Sequence, residues 1–346
     1  MAVVDSPQPT AAAQPRVLRG LHKGLPNSWY PILRSSELGK TPVHLRRFAE
    51  DLVLWRDSTG QPRVFEDRCP HRGAYLSLGR IRGDELACCY HGWRFNTSGV
   101  CTDMPLEETS SSRAGRFHVR AHAAEERAGF IWMFYGDAQR RQPLFVPEEL
   151  EDHSFSTFTT VYTWQTSWLN VLDNVVDPLH AVHLHANVDV QKRRPTYQAF
   201  HVTEDDGTGF RLGKVGTRAD GSVGPVEGEV EFLLPNIVRL DLADIRGNLL
   251  FRVVVIPTPI DENQSWAVFA RTRRATGWQR VRWWIAWWAV HRRDIPAVIA
   301  EDRAVLQSLA PISEVRLREH LVSSDLGVIY LRKQLNQAFR QSLQQA

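Results

Sequence analysis

Two short segments constrain this chain more than any other feature. The first, CPH, contains Cys69 and His71, and the second, CCYH, contains Cys88 and His91. Two thiolates and two imidazoles at this spacing fit a [2Fe–2S] cluster in which histidines replace two of the cysteines. Neutral imidazole in place of thiolate raises the reduction potential above that of an all-cysteine cluster. The pattern therefore predicts a centre that accepts and passes on single electrons.

Two other interpretations of these residues are weaker. Zinc sites in small modules usually combine a C-x2-4-C pair with an H-x3-5-H pair, whereas here each segment holds one Cys and one His. An ordinary buried role is also disfavoured, because both segments look like turns, with Gly73 and Gly92 following the histidines. The four ligand types in two turns favour the iron–sulfur cluster.

The bulk properties exclude several classes of protein. A chain of 346 residues is long enough for about two domains with cores of their own. The net charge of +3 and the lack of a long basic run argue against nucleic-acid binding. No stretch reaches the ~18 apolar residues of a membrane span. Only Cys89 and Cys101 remain outside the predicted cluster, which suits a reduced, cytoplasmic chain.

The pattern along the chain predicts an α+β protein. Residues 1–26, rich in Ala, Pro and Gln, are expected to form a disordered lead-in, and 27–142 a β-rich domain with both Cys/His segments in loops. A second domain is predicted at 148–346. It would begin with a strand and a helix from Ser167 to about His185, followed by strands separated by turns, one of them containing Asp220, Gly221, Gly224 and Pro225.

The last part of the chain, from about Gln279, is predicted to be mostly helical, with pauses near Pro296 and Pro311. It includes an apolar run from Trp283 to Trp288. We expect that run to be a helix packed on the core or on a neighbouring subunit. The alternatives are a patch that rests on a membrane or one that lines a route for an apolar substrate.

A second constellation lies between Asp173 and His185, where three histidines, two aspartates and one asparagine occur together. Two histidines and one carboxylate around open coordination positions make the facial triad of non-haem Fe(II) oxygenases. His180 can supply one imidazole, and either His183 or His185 the other. A regular helix favours His183, because His185 requires the helix to end or to bulge.

The carboxylate of such a triad must come from elsewhere, and Asp302 is the candidate. It lies within an apolar helical stripe between Ile295 and Leu309, where a carboxylate is costly unless it is paired or binds a cation. Glu301 is expected to point toward solvent. The alternative role for Asp302 is a salt bridge with Arg303 or Arg271.

No dinucleotide-binding G-x-G-x-x-G and no P-loop occur in the sequence. Electrons for the predicted cluster must therefore come from another protein. Several apolar side chains of the predicted strands are candidates for the wall of a pocket for a small, largely apolar substrate. These are Phe232, Leu234, Leu240, Leu250 and Trp266.

These motifs resemble those of the Rieske non-haem iron oxygenases, the aromatic-ring-hydroxylating α-subunit family. The segments CPHRG and C-x-YHGW, then N-x-x-D-P-x-H-x4-H and finally E-D-R-x-x-L all match family motifs. The resemblance extends from about Trp29 to about Gln334. Asp173 departs mildly from the family, in which many members have Glu. The length, without a fused reductase, is most similar to the compact monooxygenase and demethylase branch.

The resemblance implies a fold, two metal sites and partners. The fold would be an N-terminal all-β Rieske domain followed by a helix-grip, START-like catalytic domain with an antiparallel sheet and C-terminal helices. A flavin-containing, NAD(P)H-dependent reductase or a ferredoxin would supply electrons to a homotrimer. The implied cluster ligands are Cys69, His71, Cys88 and His91, and the implied iron ligands are His180, His185 and Asp302.

Two further residues acquire roles from the resemblance. Asp177 would bridge His180 at the iron to His91 of the cluster of a neighbouring chain, since a carboxylate commonly holds the free nitrogen of a ligand imidazole. Asn174 would lie near the iron without binding it firmly. Two alternatives come from other classes: a Rieske-type electron-transfer protein without oxygenase activity, and a sensor with a degenerate oxygenase fold.

Overall fold

The structure is a computed structural model of the whole chain. It describes residues 20–107, 113–185, 200–217, 223–243, 249–309 and 319–344. In these ranges no helix has the length and apolar character needed to cross a membrane.

The first half of the described chain is built from three small antiparallel sheets, with strand orders β1-β11-β10, β2-β3-β4-β9 and β5-β6-β7-β8. The loop after β4 and the loop between β6 and β7 carry the two Cys/His segments. In chain order the strands are β1 Ser28–Arg34, β2 Val43–Arg47, β3 Glu50–Arg56, β4 Pro62–Glu66, β5 Arg80–Arg82, β6 Glu85–Ala87, β7 Arg94–Asn96, β8 Cys101–Asp103, β9 Ala121–His122, β10 Ala124–Arg127 and β11 Phe130–Tyr135.

The second half contains a seven-stranded antiparallel sheet with the order β12-β18-β17-β16-β15-β14-β13. Its strands are β12 Phe155–Trp164, β13 Phe200–Asp205, β14 Gly209–Thr217, β15 Val223–Leu233, β16 Ile237–Ala243, β17 Leu249–Pro259 and β18 Ser265–Arg274. The helices are α1 Glu148–Glu151, α2 Trp168–Val176, α3 His180–Leu184, α4 Trp278–Ala286, α5 Arg292–Ser308 and α6 Leu326–Gln344, with a π turn at Trp287–His291 between α4 and α5. An all-β first half and a sheet with C-terminal helices confirm the predicted α+β class.

The alternation of side chains along β18 decides what lies on each face of the large sheet. Ala267 and Phe269 pack against Ile299 and Leu306 of α5. Trp266, Val268 and Ala270 point the other way and pack with aromatic residues of β1 and β11. Helix α5 therefore lies on one face of the sheet, and the N-terminal half covers the other.

The two halves share a continuous apolar core on that second face. Trp29, Phe130 and Trp132 of the small sheet pack with Val254 and Ile256 of the large one. The Thr258 hydroxyl also donates a buried hydrogen bond of 2.7 Å to the Pro31 carbonyl. The domain boundaries proposed from the sequence stay a prediction, and this core shows that the two halves pack tightly in one chain.

Three sequence-based expectations are wrong in detail. Residues 20–26 of the expected disordered lead-in are ordered, with Leu21 and Leu25 buried beneath α2 and α6. Gly224 and Pro225 of the expected turn lie within β15, whereas Asp220 and Gly221 lie outside the described residues. Helix α5 continues through Pro296, and the irregularity lies earlier, in the π turn at Trp287–His291. Pro311 lies outside the described residues.

The expected helix from Ser167 to His185 is two helices. Helix α2 ends at Val176, and α3 begins at His180. Pro178 accounts for the break, because it disfavours helical backbone at the preceding residue. The interruption leaves Asp177 to accept a hydrogen bond of 2.9 Å from the Leu179 amide through its carboxylate.

Candidate active site

The two Cys/His loops have nearly the same main-chain construction. In the first, the Cys69 amide donates to the Ala74 carbonyl at 2.8 Å and the Gly73 amide to the Cys69 carbonyl at 2.8 Å. In the second, the Cys88 amide bonds to Trp93 and the Gly92 amide to Cys88 in the same relation. Gly73 and Gly92 have φ values of 73° and 75°, a region that favours glycine. Each loop thus curls around its own cysteine.

The two loops bring the two cysteines together on one side and the two histidines together on the other. The Cys69 and Cys88 thiols lie close enough for a hydrogen bond from Cys69 to lower the pKa of Cys88 to about 6, while the same contact raises the pKa of Cys69. On the outer side, the rings of His71 and His91 have centroids 4.6 Å apart. Paired thiols on one side and paired imidazoles on the other match a Rieske cluster, in which one iron has two Cys and the other two His.

A second observation fits an ion at this place. His91 Nδ1 is buried without a hydrogen-bond partner, although buried ring nitrogens normally have one. Trp93 stacks on His71 at 4.7 Å with nearly parallel planes, which fixes the orientation of that imidazole. The remaining cysteines do not take part in this pairing: Cys89 is exposed, and Cys101 is buried next to the Asp103 carbonyl.

The second constellation is assembled by the helix break and by α5. His180 begins α3, and His185 follows its last residue, with its amide bonded to the Ala181 carbonyl. This end of the helix turns His185 inward, where it is buried, while His183 is exposed. Asp302, 7 % exposed, faces them from α5. Within the described ranges, His180, His185 and Asp302 form the only group of three or more Cys, His, Asp or Glu residues whose ligand atoms lie close enough for one ion.

The geometry of this group resembles an ion site more than a hydrogen-bonded cluster. The Nε2 atoms of His180 and His185 lie 3.5 and 3.1 Å from Asp302 Oδ1, yet that buried oxygen has no partner in hydrogen-bond geometry. Three ligand atoms therefore converge on one point without satisfying one another. Arg271 and Arg303, the alternative salt-bridge partners of Asp302, lie instead against Thr160 and against the rings of Tyr162 and Trp164.

The charges of the group are strongly coupled. Burial alone would raise the pKa of Asp302, but the two imidazoles outweigh it and lower that pKa to about 2. Burial alone would lower the pKa of His185, but Asp302 and Glu301 outweigh it and raise it. Without a metal this site therefore holds a carboxylate and favours a proton on His185.

Each imidazole is held through its other nitrogen. His185 Nδ1 lies 2.8 Å from Glu301 Oε2, and His180 Nδ1 donates to the main-chain carbonyl of Asp177. Such contacts fix the tautomer that leaves Nε2 available to a metal. The expectation for Glu301 was wrong, because this side chain is half-buried and contacts His185. A carboxylate directly before Asp302 was the only sequence signal that could have indicated it.

The other residues predicted around the iron, Asp177 and Asn174, lie in or just after α2, and their predicted roles stay predictions. The Asp177 carboxylate lies 3.9 Å from His180 Nδ1, so its main-chain carbonyl, and not its carboxylate, makes the hydrogen bond. Burial raises the pKa of this carboxyl. Asn174 is half-buried in the last turn of α2. Asp173 is bound 2.6 Å from Arg332 of α6.

The predicted pocket wall is corrected by the facing of the strands. Trp266 packs toward the N-terminal half, on the face opposite α5. Phe232, Leu234 and Leu240 pack with α2 and α6, and Leu250 packs beside Trp283. The side chains that share the α5 face near Asp302 are instead Trp164, Val255 and Phe269, with Tyr162 and Val253 at their edge.

Two family descriptions match the sequence. Residues 28–118 match "Rieske [2Fe-2S] domain", and residues 164–341 match "Vanillate O-demethylase oxygenase C-terminal domain". The second match covers α2, α3, α5 and six of the seven strands of the large sheet, β13 to β18, which an electron carrier of one domain would lack.

Relatives of known name agree with these matches. The 3-chlorobenzoate-3,4-dioxygenase oxygenase subunit of Comamonas testosteroni is 26% identical, over 94% of this chain and 87% of its own length. The 5,5'-dehydrodivanillate O-demethylase oxygenase subunit of a Sphingobium strain is 32% identical, but over 49% of this chain and 40% of its own.

Solved structures show the same fold. An oxygenase of carbazole 1,9a-dioxygenase, in complex with ferredoxin, superposes with a TM-score of 0.76 at 20% identity, over 94% of each chain. Dicamba monooxygenase bound to dicamba gives 0.71 at 21% identity, over 92% of this chain and 98% of its own. With both domain matches, the chain belongs to the Rieske non-haem iron oxygenases and is the oxygenase subunit of such a system, with a Rieske [2Fe–2S] cluster and a mononuclear iron as cofactors.

Proposed function

We propose that this subunit uses O2 to hydroxylate, or oxidatively demethylate, a small aromatic substrate at the His180–His185–Asp302 site. The observation that carries the proposal is the convergence of two imidazole Nε2 atoms on the orphaned Asp302 Oδ1. The iron supplies oxygen activation when bound, because two His and one carboxylate leave coordination positions open. Several relatives act, by their names, on aromatic acids: 3-chlorobenzoate, phenoxybenzoate and phthalate.

In this proposal the protein residues hold and tune the two metal sites. The thiols of Cys69 and Cys88 and the imidazoles of His71 and His91 hold the cluster, which supplies electrons when reduced. Glu301 and the Asp177 carbonyl orient the iron imidazoles. Trp164, Val255 and Phe269 form an apolar surface against Ile299 and Leu306, the residues on either side of Asp302 in α5.

Electrons are proposed to arrive from a separate NAD(P)H-dependent reductase, directly or through a ferredoxin. The structural neighbours include oxygenase–ferredoxin complexes, and the outer position of His71 and Tyr90, both exposed, leaves the cluster loops accessible. We further propose a cytoplasmic homotrimer in which the Asp177 carboxylate meets His91 of the neighbouring chain. The carboxylate oxygen Oδ2, which makes no short contact to His180, is the atom available for that bridge.

The test is an isotope experiment with a surrogate reductase and ferredoxin. Purified, iron-loaded protein is supplied with NADH and 18O2, and a panel of benzoates and methoxybenzoates is screened for label in the product or for formaldehyde release. Asp302→Ala serves as the inactive control. Reduction of the cluster without any labelled product or formaldehyde, across a panel that binds, would favour the electron-transfer alternative.

A further inference from the structure

Arg271 is a buried cation on the catalytic face of the large sheet. It is 2 % exposed, and it follows Ala267 and Phe269 on the face of β18 that packs against α5. Its guanidinium lies 5.7 Å from the Phe269 ring and 5.9 Å from the Trp287 ring. Asp302 projects toward the same face, because it lies three residues after Ile299 and four before Leu306, both of which pack on the sheet.

Within the part of the chain that the structure describes, Arg271 has no carboxylate partner. It donates to the Thr160 hydroxyl and contacts Tyr162, both neutral groups on β12. The other buried arginine, Arg47, donates instead to two main-chain carbonyls, of Arg46 and Ile32. Two hydroxyl groups and two aromatic rings hold this buried guanidinium, but no anionic group among the described residues balances its charge.

A second cation lies nearby. Arg303, the residue after Asp302, lies 5.6 Å from the Trp164 ring and 6.0 Å from the Tyr162 ring, and its buried Nε has no hydrogen-bond partner. Tyr162 therefore lies between two arginines that lack an acidic partner among the described residues. By contrast, Arg239 and Arg252 on β16 and β17 are both bound to Glu149.

We propose that Arg271 binds the carboxylate of an aromatic acid substrate, with its ring against Phe269 and near the iron. Arg271 lies one side-chain repeat, ~6.8 Å along the strand, beyond Phe269, and Phe269 packs with Ile299 and Leu306, the residues on either side of Asp302 in α5. Guanidinium groups bind carboxylates through two parallel hydrogen bonds. This inference rests on the proposed function and further specifies that the substrate carries a negative charge.

Binding of two probes tests the proposal without turnover. Benzoate and its neutral isostere benzamide are titrated calorimetrically into anaerobic, iron-loaded protein. We expect benzoate to bind at least about tenfold more tightly, as one charge-assisted hydrogen bond provides. Arg271→Met should remove that preference, Arg271→Lys should keep part of it, and Arg273→Met, at an exposed arginine of the same strand, should leave it unchanged.

Three outcomes would overturn the inference: equal binding of both probes by the wild type, a benzoate preference that persists in Arg271→Met, or its loss in Arg273→Met. If Arg271→Met does not fold, the preference of the wild type for benzoate and that of Arg271→Lys still test the role of Arg271. Oxygen incorporation into neutral substrates alone would leave the oxygenase standing and refute only the role of Arg271. Iron that fails to bind at all would refute the proposed function itself.

An independent feature lies on α4, where one side of the helix is apolar and exposed. At roughly 100° per residue, Trp278, Val281, Trp284 and Ile285 fall within one arc of roughly 120°; the first is 70 % exposed and the third 54 %. We call these four residues the aromatic stripe. On the opposite side, Trp283 is buried and donates to the Ser156 carbonyl at 3.0 Å. The helix is therefore anchored, and the stripe cannot turn inward.

Charge distinguishes this surface from an ordinary apolar patch. Between Asn263 and Arg293 the sequence contains no Asp or Glu. Four arginines with described side chains are exposed there, Arg273, Arg274, Arg280 and Arg282, of which Arg274 pairs with Glu148. Arg280 and Arg282, both exposed, flank the aromatic stripe at roughly 100° to either side of its centre. Arg280 is held in place by donating to the main-chain carbonyls of Ala275 and Phe155. We propose that the aromatic stripe rests on an anionic membrane surface, with its tryptophans at the headgroup level and the flanking arginines on lipid phosphates.

Flotation with vesicles tests this second proposal. Full-length, iron-loaded protein should float with vesicles of equal parts phosphatidylglycerol and phosphatidylcholine, and less with phosphatidylcholine alone. The double variant Trp278→Ser/Trp284→Ser should float at least about tenfold less, whereas Leu343→Ser, at another exposed apolar residue, should behave as wild type. Absence of flotation overturns the proposal and would leave an acidic protein as the occupant of the aromatic stripe. The proposal is also overturned if the double variant elutes as a smaller assembly than the wild type, because the stripe would then join two copies of the chain.

Discussion

The cluster loops draw their four Cys and His residues from one stretch between Cys69 and His91, whereas the mononuclear site joins His185 to Glu301, 116 positions further along. Each cluster loop is closed by its own main-chain hydrogen bonds and a left-handed glycine. The mononuclear site exists only because α5 packs on the sheet through Ile299 and Leu306. One site is determined locally, and the other depends on tertiary structure.

Loss of a cluster ligand should have the largest effect. We expect Cys69→Ser to abolish the visible absorption of the cluster and all turnover, because the pair of buried thiolates on one iron is broken. The mononuclear site should still bind ferrous iron, since none of its residues lies in the cluster loops. Absorption and iron content of the purified variant measure both. An unchanged visible spectrum would refute the ligand role of Cys69.

Asp302→Ala should have the complementary effect. Mononuclear iron should be lost, together with turnover, because only two neutral imidazoles remain to hold the cation. The cluster spectrum should be that of wild type. Iron analysis combined with EPR of the reduced cluster gives both numbers on one sample. Full iron occupancy in this variant would exclude Asp302 as a ligand, and loss of both centres would contradict the independence of the two sites.

Asp177→Asn connects the two sites. Both metals should remain, since the main-chain carbonyl of residue 177 still accepts from His180. Turnover should fall to a small fraction of the wild-type rate, because the bridge to the neighbouring cluster is broken. Stopped-flow reoxidation of the reduced cluster by O2 in the presence of substrate measures the step directly. Wild-type reoxidation would show that electrons leave the cluster by another route.

Glu301→Gln should have a smaller effect that is confined to the mononuclear site. Loss of a carboxylate behind a ligand imidazole typically weakens metal affinity about 10- to 100-fold. We expect that range for ferrous iron, measured by anaerobic competition with a chelator, and no change in the cluster spectrum. Glu148→Gln, on an exposed glutamate that pairs with Arg274 on the surface, is the matched control. Equal affinities in Glu301→Gln and the control would leave the contact to His185 without a function.

The same comparison explains what could be read from the sequence. The cluster loops were recognisable because ligand type, spacing and turn glycines are all local. His185 and His183 could not be separated by periodicity, since the answer depends on where α3 ends, and Pro178 does not fix that end. The position of Glu301 was predicted wrongly, because the apolar stripe shows which side of α5 is buried but not which side chains of other elements lie at the border of that side. Trp266 was misassigned because the facing of a strand depends on its register with its neighbours.

The pH dependence of iron binding should show the smallest effect and the most specific one. Asp302 and Glu301 raise the pKa of His185, so its protonated form is favoured below that raised value and competes with the metal. Ferrous affinity should therefore fall by up to about tenfold per pH unit as the pH decreases through the pKa of His185, because one proton is released on binding. Glu301→Gln removes one of the two carboxylates that raise this pKa, so its decline should begin at lower pH, even though its affinity at high pH is weaker. The acid limb of turnover should move with it in the same direction. A decline that begins at the same pH in both proteins would show that Asp302 alone controls the proton on His185.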